Sequence, residues 1–166
     1  MKLKVYYIFV FLLIVQISSA QKTLNKLLKK YNDNSIPYIS VDTLQTKIQD
    51  VIILDAREFL EYKISHIKSA IHVGYNNFNL KNITNQLNNK NIPLVVYCSL
   101  GIRSQDIAKK FKKAGYNNVE NLYGGIFEWK NKNLKVYNYK EKETDSIHAF
   151  SKAWSKWLTN GIKIYD

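Results

Sequence analysis

Cysteine occurs once in the 166 residues, at Cys98. A single thiol excludes an intramolecular disulfide framework and any zinc or iron–sulfur centre built from several cysteines. Glycine (6) and proline (2) are scarce and aromatic residues make up 13% of the chain, which argues against a disordered protein. Arginine is nearly missing: among 25 basic residues only Arg57 and Arg103 carry a guanidinium. In a chain that uses lysine by default, those two positions suggest a need for planar, multi-donor geometry, the bland alternative being chance. The net charge of +12 would suit nucleic acid, yet the lysines are scattered and no basic stripe interleaved with aromatics occurs. A solvated lysine surface with some attraction for small anions is the simpler account. His66 and His72 lack the further ligands a metal requires, so neither metal nor cofactor is expected.

Residues 1–20 stand apart in composition. Lys2 and Lys4 precede an apolar run over residues 5–15, and Ser18, Ser19 and Ala20 put small residues where a signal peptidase cuts. The expectation is a signal peptide cleaved after Ala20, an exported and periplasmic mature chain, and no membrane attachment afterwards. An uncleaved anchor is the alternative, though the run is about half the roughly 20 residues that cross a bilayer. Export would place the lone Cys98 in an oxidising compartment, where an unmanaged thiol is lost to mixed disulfides or higher oxidation states.

Residues 21–37 hold a short helix with Leu24, Leu27 and Leu28 at helical spacing, then a connector broken by Asn32 to Pro37. From residue 38 to 133 strands and helices alternate. Strands are expected at 38–40, 51–54, 70–74, 93–97 and 119–122, and helices at 42–48, 58–63, 78–87, 103–114 and 126–129. This order implies an α/β fold, a parallel sheet covered on both faces by helices. Residues 134–166 read as an extension with an amphipathic helix capped by Asp145, bearing Ile147, Phe150, Trp154, Trp157 and Leu158, and closed by Gly161. That aromatic stripe either packs on the domain or serves as a docking surface for a protein partner.

Cys98 follows the clearest strand, so it falls at a carboxyl end, where open parallel sheets place their ligands. The residues after it, Ser99, Leu100, Gly101, Ile102, Arg103 and Ser104, curl into a helix start whose backbone N–H groups form a nest for an anion. Nest, helix dipole and the Arg103 charge all favour thiolate over thiol, which makes Cys98 a candidate nucleophile. The alternative is a small buried hydrophobe, but a buried structural cysteine requires neither a glycine loop nor an arginine beside it. Asp55 and Arg57, at another strand's carboxyl end, either border the pocket or form scaffold, with Asp55 capping a helix and Arg57 pairing with Glu61 at i, i+4. Leu100 and Ile102 are expected to make the rim apolar.

Residues 38–133 resemble a single-domain rhodanese. Cys98-Ser99-Leu100-Gly101-Ile102-Arg103-Ser104 matches that family's C-x-x-G-x-R-S loop; Leu54 to Glu58 with Glu61-Tyr62 matches its first signature, and Tyr123-Gly124-Gly125 with Trp129 its last. Ser65-His66 departs from the family's usual Gly-His, and residues 134–166 lie beyond its basic domain. The resemblance implies sulfur transfer. Cys98 would take a sulfane sulfur from thiosulfate or a similar small anion as a persulfide and pass it to cyanide or a thiol acceptor. The loop amides from Ser99 to Ser104 would hold the persulfide charge and Arg103 would orient the departing anion. A persulfide carrier or binding module without turnover is the second reading. A phosphatase or arsenate reductase is the third, disfavoured because Cys98 to Arg103 is one residue shorter than the C-x5-R loops that hold a phosphate ester.

Overall fold

The computed structural model describes residues 23–165. The expected signal peptide and its cleavage point lie outside them. Among the described residues no helix is long and apolar enough to cross a membrane. Residues 23–31 form helix α1, which belongs to a first unit ending at Tyr31. Everything else belongs to a second unit beginning at Asn32.

The second unit is organised by one strand. Leu94, Val95, Val96 and Tyr97 are all fully buried, and a continuous apolar run of this kind suits a strand covered on both faces. That strand, β4 (Leu94–Tyr97), lies at the centre of a five-stranded parallel sheet. The others are β1 (Tyr38–Ile39), β2 (Ile52–Asp55), β3 (Ile71–His72) and β5 (Val119–Leu122), in the order β1-β5-β4-β2-β3. Asp55 is in register with Tyr97, so β2 and β4 end side by side. Helices α2 (Val41–Thr46), α3 (Phe59–Ile64), α4 (Leu80–Thr84), α5 (Arg103–Lys113) and α6 (Gly125–Asn131) flank the sheet. The expected helix over 78–87 is shorter than its pattern, with only its middle helical and Asn79 capping its start.

Helix α5 carries the main packing face. Ile107, Ala108 and Phe111 are fully buried while Lys110, Lys112 and Lys113 face solvent in the last turn, where cations suit the helix dipole. Phe111 meets Phe78 and Tyr116 edge-on at 5.7 and 5.5 Å, and burying one such ring contributes about 2–3 kcal/mol. The chain leaves α5 through Gly115 at φ 91°, the left-handed exit that glycine allows.

Beyond α6 the expected amphipathic helix is absent. The segment instead forms β6 (Val136–Tyr137) antiparallel to β7 (Glu143–Thr144), and β8 (Ser146–His148) parallel to β9 (Ile162–Ile164), with only a 3-10 turn at Ser155–Trp157. Asp145 caps nothing; its carboxylate pairs with Lys130 of α6 at 2.6 Å. The helical spacing of the apolar residues misled because they bury separately. Ile147 and Leu158 are fully buried, one in a strand and one after the turn, and Phe150 breaks any helix by taking φ 64°. Pairing with β9 overrides local propensity here. A partner-binding helix is therefore not available in this segment.

Candidate active site

Cys98 is the first residue past the central strand, and α5 begins five residues later. The loop between them bends at Gly101, φ 104°, where a Cβ would press to 3.1 Å against the Leu122 carbonyl oxygen. The bend turns the Gly101 amide back so that its N–H donates to Cys98 Sγ at 3.2 Å. Below the loop, α6 donates from Ile126 and Phe127 N–H to the carbonyls of Cys98 and Ser99. Gly125 makes that approach feasible, since a Cβ there would run into the Cys98 carbonyl oxygen and stand 2.7 Å from that of Ser99. Gly101 and Gly125 thus both serve the cysteine loop.

Cys98 has no exposed surface. Burial alone pushes its thiol up, but the Arg103 charge, the Ser104 hydroxyl and amide and the Gly101 amide outweigh it, and the net shift is downward. The Ser104 hydroxyl lies 3.5 Å from Sγ and 2.7 Å from Asn121 Oδ1. It has one proton to give, so a thiolate and Asn121 compete for it. Asn121, buried in β5, also donates to the Gly101 carbonyl at 2.8 Å and to Gln105 Oε1 at 3.1 Å. One amide therefore ties loop to helix. Nothing in a chain rich in Asn singled out Asn121.

Arg103 is not free to receive an anion with its fork. Nη1 donates to Glu61 Oε2 at 2.6 Å and Nη2 to Glu61 Oε1 at 2.8 Å, and Nη2 reaches Ser99 Oγ at 3.0 Å as well. Only Nε, buried, has no hydrogen-bond partner among the described residues. Ser99 Oγ lies 3.2 Å from Glu61 Oε1, which closes the network. Glu61 is held below the usual carboxylate range: burial pushes it up, and the Arg103 fork with its charge, Arg57 and the Glu58 amide bring it down further. The Arg57–Glu61 pair expected from i, i+4 spacing does not form.

Arg57 is instead enclosed by Asp55, which accepts from its Nε, its Nη2 and its backbone N–H, while Nη2 also donates to the Ser65 carbonyl. Tyr97 completes the cluster by donating to Asp55 Oδ2 at 2.6 Å. Asp55 and Arg57 have no exposed surface and bond each other, which is the scaffold arrangement of the two that the sequence allows. Nor does Asp55 cap α3; Glu58 holds that position and its N–H donates to Glu61 Oε2. The cluster fixes the turn between β2 and α3, and α3 presents Glu61 to Arg103. Leu100 is fully buried and supplies no rim, whereas Ile102 is half-buried. Outside the loop, Tyr75, Asn76, Asp106, Lys109, Lys110 and Lys113 line a cleft of about 500 Å³ along α5.

The C-terminal segment reaches this network, which sequence reasoning missed. Phe150 lays its ring on the Arg103 guanidinium, centroid 4.6 Å from Cζ, and packs against Trp154 at 4.7 Å. His148 is buried beside them, its Nδ1 accepting from Phe150 N–H at 3.2 Å and lying 3.9 Å from Glu61 Oε1. His66 and His72 lie elsewhere: His66 stacks on Tyr62 and meets Glu141, and His72 bonds the Arg57 carbonyl. Among the described residues no cluster of His, Cys, Asp or Glu could hold a metal ion.

Arg103→Lys retains one charge but cannot serve both Glu61 oxygens and Ser99 together. It is expected to lower unfolding free energy by about 1–2 kcal/mol in urea titrations and to slow alkylation of Cys98 at neutral pH. Unchanged values would remove the argument from fork geometry.

A central parallel strand that delivers a cysteine to the Gly101 and Ser104 amides at a helix start defines a small α/β domain with a cradled thiol. The chain belongs to the Rhodanese-like domain family, whose profile matches residues 40–132. It is 33% identical over 104 residues to YrkF of Bacillus subtilis, named for a proposed role as a sulfur carrier protein; the match covers 61% of this chain and 55% of YrkF. A tRNA uridine(34) hydroxylase of Aster yellows witches'-broom phytoplasma is 36% identical over 98 residues, 56% of this chain and 30% of that protein. The chain thus spans about half or less of the length of these relatives. The thiosulfate sulfurtransferase of Pseudomonas aeruginosa shares the fold with a TM-score of 0.58 at 21% identity, covering 74% of this chain and 23% of that one. The protein is thus a member of the Rhodanese-like domain family, similar in sequence to YrkF and to a tRNA uridine(34) hydroxylase and alike in fold to a thiosulfate sulfurtransferase.

Proposed function

We propose that the protein is a sulfurtransferase acting through a persulfide on Cys98. The reading is carried by one observation: a buried thiol, shifted toward thiolate, that accepts the Gly101 N–H at 3.2 Å at the carboxyl end of the central strand. The thiolate attacks the outer sulfur of thiosulfate or a similar small anion. A sulfur–sulfur bond forms to Sγ as the donor's own sulfur–sulfur bond breaks, and the electron pair leaves on sulfite. Cyanide or a thiolate acceptor then attacks the outer sulfur and returns Cys98 as thiolate. The Gly101 amide and the Ser104 hydroxyl stay in place through both steps and stabilise charge on whichever sulfur is terminal. Arg103 acts mainly through its field, because Glu61 occupies its fork, and Nε is its remaining buried donor.

The test is the intact mass of the protein after thiosulfate and then after cyanide, with Cys98→Ser alongside. One added sulfur, absent in the variant and removed by cyanide with release of thiocyanate, is the expected result; no addition from any sulfane donor overturns the reading. The similarity to YrkF favours a second reading, a carrier that delivers persulfide to a protein. In that case sulfur is gained and cyanide leaves it in place. Export is part of the proposal, supported by the pattern of residues 1–20. Sequencing the protein from the envelope fraction of its own cells is expected to begin at Gln21, and a start at Met1 would overturn it.

A further inference from the structure

The family's profile ends at residue 132, yet the Arg103 beside Cys98 is covered by a residue 18 positions further on. Phe150 is held with unusual insistence. It takes φ 64°, a left-handed conformation in which a bulky side chain is a genuine outlier and which persists where its surroundings over-determine it. The surroundings do so here. The Phe150 N–H is fixed by His148, Ser151 N–H returns to the Ala149 carbonyl, and Ala149 is fully buried and bonded to Ile164 of β9. The strained backbone has one evident product, the placement of the ring on the guanidinium. The other face of the site holds that guanidinium too, through the Glu61 fork and Ser99.

We propose that Phe150 is a positioning residue for the sulfur site, acting through Arg103. On this inference the C-terminal segment is a structural wall of the site, and the Rhodanese-like domain alone is incomplete in this protein. The ring shields the Arg103 cation from water on the side that Glu61 leaves open, and a cation screened less by water pulls harder on the nearby thiolate. Other charged and titratable groups bear on the same pair: Glu61 and Arg57 from the β2–α3 side, His148 from β8, Tyr75 from the segment after β3, and Tyr38 from β1. The inference rests on the assignment of Cys98 as the reactive thiol, but its test requires no sulfur donor.

The experiment is the pH dependence of Cys98 alkylation by iodoacetamide in the full chain, for the wild type and for Phe150→Leu, Phe150→Gly and Phe150→Tyr. Leucine keeps apolar bulk without a π face; glycine also relieves the left-handed backbone, so a folding defect in the first is checked by the second. Both are expected to move the alkylation midpoint to higher pH, with about threefold or more slower reaction at a fixed pH below it. Tyrosine restores the ring and is expected to track the wild type. Profiles of Phe150→Leu and Phe150→Gly that coincide with the wild type, or move to lower pH, overturn the proposal. So does a Phe150→Tyr profile that shifts with them, because a purely structural role would not distinguish the rings. Failure of sulfur transfer with a normal set of shifts would instead strike at the reading of the reaction and leave Phe150 in its role.

Discussion

Cys98→Ser is expected to abolish sulfur transfer and leave the fold unchanged. The serine hydroxyl occupies nearly the same volume and can still accept from the Gly101 amide, so the loop has no cause to rearrange. The chemistry fails for a separate reason: every device around position 98 stabilises an anion of ordinary thiol acidity. The Arg103 field, the Ser104 hydroxyl and the loop amides tip a thiol toward thiolate against its burial, but a hydroxyl begins many units higher and stays protonated. A neutral hydroxyl does not take a sulfur from thiosulfate. Steady-state transfer to cyanide should therefore fall by more than about 10⁴-fold, to background, while urea unfolding stays within about 0.5 kcal/mol of the wild type. Measurable transfer by the serine protein would place the reaction on another group.

Much of this arrangement is legible in the amino-acid sequence where the signal is local. The apolar run 94–97, the lone cysteine after it and the glycine within the loop predict the central strand, the turn and the helix start in their observed places. The rarity of arginine also carries information, for both guanidiniums prove to be buried against carboxylates. What local reasoning misses is which carboxylate each one takes. Spacing of four favours Arg57 with Glu61, yet Asp55, two residues away and backed by Tyr97 from the neighbouring strand, encloses Arg57 first. Glu61 is thereby left for Arg103, 42 residues on, a pairing that only the side-by-side ends of β2 and β4 bring about. The C-terminal segment fails for a related reason. Its apolar residues fall at helical intervals, but they serve separate surfaces, and Phe150 meets Arg103, 47 residues earlier, a contact that no local spacing signals.

Glu61→Gln should separate stability from reactivity. The amide keeps the length and one acceptor of the carboxylate, so Arg103 retains a hydrogen bond while losing its counter-charge. Breaking a buried pair from one side typically costs about 3–5 kcal/mol, because the remaining ion is left uncompensated. Glu61 and Arg103 are both more than nine-tenths buried, and a loss near 3 kcal/mol in urea unfolding at neutral pH is expected. The Cys98 thiol should move the other way. With Glu61 neutral, the Arg103 field reaches the sulfur without an opposing charge, and the alkylation midpoint falls to lower pH. Acid unfolding supplies the third signature. Glu61 sits below the ordinary unfolded glutamate value of about 4.3, so its contribution is complete above that pH and is lost as pH falls toward the lower value in the fold. Glu61→Gln removes this titration, and its stability curve should be flatter than the wild type's below about pH 4.3. A variant that is destabilised but whose thiol midpoint rises would show that Glu61 holds Arg103 in place for Cys98 more than it opposes its charge. Unchanged stability would mean that the short contacts between the two side chains carry little net energy.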